Sequence, residues 1–191
     1  MCFQLLIKAE TDTGKCKNNA PGYSKMYLAN QAWLDTVPAP SDYQADQVAN
    51  EPLEITADIT FDTVTYTTAG WYEWDIQPQT TDWRPSLQGE IGQKYWQTTI
   101  PFKIAGHQAL IDQAVDWAYN LRLVVLLLDN EGLYRFVGNK TLYCSVQKMD
   151  GQQGAAPGDF AGWDAELFLP AHQKLSPYYS GAITPIYSLA A

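Results

Sequence analysis

Residues 105–149 read AGHQALIDQAVDWAYNLRLVVLLLDNEGLYRFVGNKTLYCSVQKM, and this stretch decides the fold. Leu110, Ala114, Trp117 and Leu121 recur at helical spacing, with Ile111, Val115 and Ala118 beside them. That stripe predicts an amphipathic helix over 109–120, with Gln108, Asp112, Gln113 and Asp116 on its polar side. LRLVVLLL at 121–128 is too short to span a bilayer and apolar almost throughout, so it predicts a strand buried on both faces. Asp129-Asn130-Glu131-Gly132 is a turn, and residues 133–137 return as the partner strand. After Gly138 and Asn139, Leu142, Cys144 and Val146 alternate with polar neighbours and predict a third strand of the same meander. The helix is expected to lay Leu110, Ala114 and Trp117 on Leu123, Val125 and Leu127.

Working outward, residues 95–104 alternate Trp96, Thr98, Ile100, Phe102 and Ile104 on one face. Pro101 on the other face lacks a donor, which predicts a sheet edge or a bulge there. Residues 54–65 read as one strand, with Ile55, Ala57, Ile59 and Phe61 inward and Glu54, Thr56, Asp58, Thr60 and Asp62 outward. Residues 71–77 repeat the pattern, with Tyr72, Trp74 and Ile76 opposed to Glu73, Asp75 and Gln77. Residues 78–92 are a long connection. Residues 150–162 are a glycine-rich loop, and 163–169 are a further strand. Shorter strands are expected at 3–7 and around Tyr27 and Leu28, and loops at 11–22 and 38–52. Seven or eight strands with one long helix predict a mainly β, α+β fold. It is an antiparallel sandwich or barrel flanked by the helix, one domain over 1–191, with arms at 1–22 and 176–191.

The 191 residues suffice to bury roughly 70% of the unfolded surface without staples. The net charge is −9 and the 12 basic residues are scattered, which argues against free nucleic acid as a tight ligand. Three cysteines at unrelated spacings build neither a disulfide framework nor a CxxC metal site. The first ten residues lack the basic and apolar regions of a signal peptide, and no apolar run is long enough to cross a membrane. A reducing cytoplasm is therefore the expected place of folding.

No arrangement of chemistry-bearing residues stands out. His107 and His172 sit in no ligand spacing. The 129–132 turn lacks the ligand periodicity of a calcium loop. GQQGAAPGDFAG at 151–162 matches no phosphate-binding motif, and no nucleophile elbow occurs. The expectation is no catalytic residue, no metal, no cofactor and no enzyme. Aromatics carry the one compositional signal, with 7 Trp, 12 Tyr and 6 Phe. Most tryptophans fall in phase with core faces. Trp83, in a Pro- and Gly-containing connection, and Tyr178 and Tyr179 are the candidates for exposed aromatics. Exposed aromatics mark a protein interface or a sugar platform.

Three tracts carry a family resemblance: CKNNAPGYSKMYLANQAWL at 16–34, WRPSLQGEIGQKYWQTTIPFKI at 83–104, and the Leu/Val strand, Asp-Asn-x-Gly turn and return strand at 121–138. In this order they resemble the tail-tube (major tail) structural proteins of tailed bacteriophages. The resemblance spans about two thirds of the chain. It implies a non-enzymatic virion subunit, assembled in the host cytoplasm into homohexameric rings that stack as a DNA channel. Its partners would be itself, other tail proteins and passing DNA, with no membrane. On this reading Trp83, Arg84, Pro85, Tyr178 and Tyr179 are expected at assembly interfaces. Glu54, Asp58, Asp62, Glu73 and Asp75 are expected to line the channel and repel phosphate. Two other readings stay open: a carbohydrate-binding sandwich using exposed Trp and Tyr, and another tail or connector ring protein.

Overall fold

A computed structural model describes residues 22–41, 53–77, 80–154, 158–172 and 174–189, apart from the side chains of 187–189. The strand expected at 3–7 and much of the N-terminal arm and of the 38–52 loop lie outside these residues.

The strands are β1 (Tyr23–Asn30), β2 (Leu34–Thr36), β3 (Glu54–Ile55), β4 (Thr60–Phe61), β5 (Trp71–Asp75), β6 (Arg84–Gln88) and β7 (Tyr95–Ala105). After the helix α1 (Ala109–Ala118) come β8 (Leu123–Asp129), β9 (Tyr134–Val137), β10 (Ser145–Gln152), β11 (Gly162–His172), β12 (Tyr178–Tyr179) and β13 (Pro185–Leu189). They form a seven-stranded sheet in the order β13-β5-β1-β8-β9-β12-β3, a four-stranded sheet in the order β10-β11-β7-β6, and the ribbon β2-β4. The fold is mainly β with one α-helix among the described residues, as the alternating patterns predict. The pairs β12–β3 and β13–β5 are parallel, so the sheet is not wholly antiparallel.

The double-faced apolarity of β8 explains its central place. Leu123, Val125 and Leu127 point into the main core, between the two sheets, where they meet Ile100, Phe102, Ala165 and Leu167. Val124 and Leu126 point the other way, into a second core with Tyr27, Ile55, Trp71, Phe136 and Tyr179. No residue from Leu123 to Leu127 is measurably exposed. The 129–132 turn forms as expected, with the Asp129 carboxylate accepting the N–H groups of Glu131 and Leu133 at 2.9 and 2.8 Å. Gly138 carries φ +104°, and a Cβ there would crowd Val124 and the Leu142 carbonyl at 3.1 Å.

The third strand of the expected meander departs from the plan. Cys144 bridges to Leu123, and the chain then crosses to the four-stranded sheet, where β10 pairs with β11. The apolar positions Leu142 and Cys144 complete the main core from the crossover itself.

Helix α1 carries the chain from one sheet to the other. It buries Ile111, Val115 and Ala118 and half-buries Ala114 and Trp117 against the main core. Leu110, expected in that face, is 57% exposed, because the docked stripe is rotated toward Ile111. Trp117 stacks at 5.2 Å on Tyr72 and 5.8 Å on Trp33. The indole N–H of Trp163 donates to Asp112 at 2.9 Å and pins the first turn of α1 to β11.

Three further expectations are corrected. Residues 54–65 are not one strand: β3 and β4 are two residues each and belong to different sheets. Ala57 is exposed, and the Asp62 carboxylate folds the chain over by accepting the N–H groups of Val64 and Thr65. The 78–92 connection contains β6, the hairpin partner of β7. The strand β7 is interior rather than an edge, yet its proline is accommodated as an edge proline. The Pro101 carbonyl accepts Asp82 N–H at 3.2 Å, so its nitrogen faces the same side, beyond the last β6 pair at Arg84 and Thr99.

Candidate functional site

The five residues expected at assembly interfaces are divided by the structure. Trp83 enters β6, Tyr178 opens β12, and Arg135 of β9 lies between their rings. Its guanidinium carbon stands 4.0 Å from the Trp83 centroid and 4.2 Å from that of Tyr178. One guanidinium N–H donates to the Ser176 carbonyl at 3.0 Å. Tyr23 packs here too; burial pushes its phenol pKa up, against the opposing pull of Arg135. Stacking a cation between two aromatic faces contributes about 0.5–2 kcal/mol, more as water is excluded. The Trp83 indole N–H and the Arg135 Nε–H are buried without a partner among the described residues.

Trp83 is therefore half-buried against its own main core rather than an exposed aromatic. Tyr179 is likewise internal. It is 2% exposed, its hydroxyl donates to the Ala182 carbonyl at 2.9 Å and accepts Ile59 N–H at 3.3 Å, and burial raises its pKa. Tyr178 is half-buried. Of the five, Arg84 is exposed and paired with Asp82 at 3.0 Å, and Pro85 sits beside it in β6. Arg135 was missed by sequence reasoning. Its signal is a single cation inside the apolar return strand YRFV, a position that demands a partner.

Of the five acids expected to line a channel, Glu73 and Asp75 stay two residues apart on one face of β5, whereas the other three are held separately. Glu73 is buried, and its carboxylate holds the Lys25 ammonium at 2.6 Å, which raises the Lys25 pKa. Burial first, and then the Glu73 charge, pushes Tyr27 above the usual phenol range. The Asp58 carboxylate accepts Ala182 N–H at 2.7 Å, fastening the 56–70 segment to the C-terminal segment. Asp62, held below the usual carboxylate range by its bonds to Thr65, shapes a turn. Glu54 and Asp75 are half-exposed in β3 and β5, on strands that lie far apart in the sheet order. The strand face that was to align Glu54, Asp58 and Asp62 is not formed.

Both histidines have structural partners. His107 Nε2 lies 2.8 Å from the Gln152 carbonyl, and its ring meets Trp163 edge-on. His172 is buried, with Nδ1 3.0 Å from the Pro170 carbonyl and Nε2 3.3 Å from the Thr98 hydroxyl. Burial pushes the Cys144 thiol up to about 12, leaving it un-ionised at neutral pH. Among the described residues no group of three or more His, Cys, Asp or Glu is placed to hold a metal ion. No described helix is long and apolar enough to cross a membrane.

The hairpin of β6 and β7 is the other feature of note. Every β6 residue except Pro85 is exposed, so the strand stands clear of the core. Leu87 is 47% exposed and Ile91, at the tip, is 95% exposed. β6 also ends the four-stranded sheet, leaving one side of its backbone unpaired by the described chain. Comparisons with protein-family models, curated proteins and solved structures found no match.

Proposed function

We propose that this chain is a non-enzymatic assembly subunit, a ring-forming virion structural protein of the tail-tube type. The observation that carries the proposal is the β6–β7 hairpin. An open edge strand with a bare apolar tip invites pairing with another chain, and a closed ring of copies would cover it. The three resembling tracts supply the virion assignment, and the central one, 83–104, contains this hairpin. The assembly contact passes from Trp83 and Tyr178, which are half-buried, and Tyr179, which is internal, to Arg84, Leu87 and Ile91. The net charge of −9 suits a channel through which DNA passes without adhering. All seven tryptophans are buried or half-buried, which disfavours an open sugar-stacking platform built on them.

Light scattering and negative-stain imaging of concentrated protein test this reading. Rings or tubes are expected for the parent chain. Leu87→Ser with Ile91→Ser should abolish them while leaving the melting curve unchanged, because neither side chain belongs to a core. A parent that stays monomeric at high concentration, or a double variant that assembles normally, overturns the proposal.

A further inference from the structure

Arg135 joins three parts of the chain that lie far apart in sequence. Its own strand, β9, sits inside the seven-stranded sheet between β8 and β12. One ring on its guanidinium, Trp83, stands at the root of the β6–β7 hairpin. The other, Tyr178, opens β12 and belongs to the C-terminal chain. The carbonyl that accepts its N–H, Ser176, precedes that ring by two residues. Within 82–94, Trp83 is the residue that packs on the main core. Beyond it the hairpin leaves the body of the molecule. There β6 pairs with β7 alone, and Arg84, Ser86, Leu87 and Gln88 are exposed. Its far end turns through Gly89 and Gly92, both at positive φ. The edge strand is thus held along one side by its ladder and at one end by the Trp83 ring. The grip on that ring is a cation shared with the C-terminal chain.

We infer that Arg135 is a positioning residue that clamps the root of β6 to the C-terminal chain, so that the open edge is held in place only while β12 is docked. A cation between two aromatic faces loses attraction when either ring leaves. Without Tyr178 and the Ser176 carbonyl, the guanidinium regains water and Trp83 keeps only its packing. The strand β12 is two residues long, paired with β9 on one side and β3 on the other. So short a ladder makes β12 the half of the clamp most readily lost. A chain whose C-terminal part has not docked therefore carries a loose β6 and stays out of assemblies. This consequence rests on the ring-forming reading; the clamp itself does not.

Hydrogen exchange of the ladder amides shared by β6 and β7 tests the clamp, in the full chain at low concentration. Light scattering at rising concentration tests the consequence. Arg135→Met keeps the packing of the stem and removes the cation, while Tyr178→Ala removes one ring. Each should speed exchange in the β6–β7 ladder by about tenfold and leave the β10–β11 ladder unchanged. Tyr178→Phe, which keeps the ring, should match the parent, and Arg135→Lys should fall between parent and Arg135→Met. The concentration at which rings form should rise about tenfold in the first two variants. Unchanged β6–β7 exchange in Arg135→Met overturns the clamp, since packing alone then holds Trp83. Exchange that quickens equally in both ladders also overturns it, because the residue would then serve global stability. Equal behaviour of Tyr178→Ala and Tyr178→Phe does the same. Faster β6–β7 exchange with ring formation at the parent's concentration overturns the control of assembly. A parent that never assembles sinks the ring-forming reading and that consequence with it, while exchange still decides the clamp.

Discussion

The two faces of the seven-stranded sheet are covered in different ways. The inner face meets long regular elements: β7 and β11, of eleven residues each, and the amphipathic α1. The outer face meets the β2–β4 ribbon, the irregular chain of 56–70 and the C-terminal segment. Periodic burial and ladder hydrogen bonds hold the inner cover. Side-chain bonds between distant residues help fasten the outer cover: Asp58 to Ala182, 124 positions apart, and Tyr179 to Ile59, 120 apart. Such bonds bear the entropy of closing long loops and give little local order in return. The outer cover should therefore open first, and the inner one only with the whole domain.

Paired tryptophan truncations probe this contrast most strongly. Trp74, on the inner face beside Phe102, and Trp71, on the outer face between Phe61 and Phe136, both belong to β5. Each change to Ala should cost about 3–5 kcal/mol by denaturant unfolding, since both rings are almost wholly buried. Trp74→Ala should lower hydrogen-exchange protection throughout both sheets. Trp71→Ala should do so chiefly in 56–70 and 178–185. Identical exchange patterns for the two variants would break the distinction between the faces.

Alkali gives the next effect, and it separates the faces by onset. Cys144 serves the inner core, and its thiol is pushed from 9.0 to about 12 by burial. The unfolded thiol ionises first, so this contribution is whole below pH 9 and is lost as pH rises toward 12. Tyr27 and Tyr179 serve the outer core and are raised from 10.0, so their contributions begin to fail only above pH 10. Melting temperature against pH should thus fall from about pH 9, and Cys144→Ala should move the onset to about pH 10. An unchanged onset in the variant would show that the thiol is not the first group to titrate.

Tyr179→Phe keeps the ring and removes the two hydroxyl contacts of the outer cover. A loss of about 1 kcal/mol is expected, with faster exchange at Ile59. A loss above about 3 kcal/mol would mean that these bonds organise more than the outer cover. The smallest effect belongs to α1. Leu110→Ala should shift stability by no more than about 0.5 kcal/mol, because the docked stripe is Ile111, Val115 and Ala118. A large loss would restore Leu110 to the interface.

The sequence by itself determined the β class, the amphipathic helix α1, the central β8 with its turn and return strand, and the inward face of β7. These follow from patterns written within about ten residues, where burial on one or two faces leaves a period. Helix phase was legible only to within one residue, so Leu110 and Ile111 exchanged roles. Tertiary structure alone decided that β10 leaves the meander for the second sheet and that 54–65 breaks into two short strands. It also decided that Trp83 and Tyr178 close on Arg135. Each is a contact between segments far apart in the chain, where partner choice depends on what the rest of the fold has already buried. The same reason gave the acids their partners: Glu73 found Lys25 and Asp58 found Ala182, which no local spacing announces.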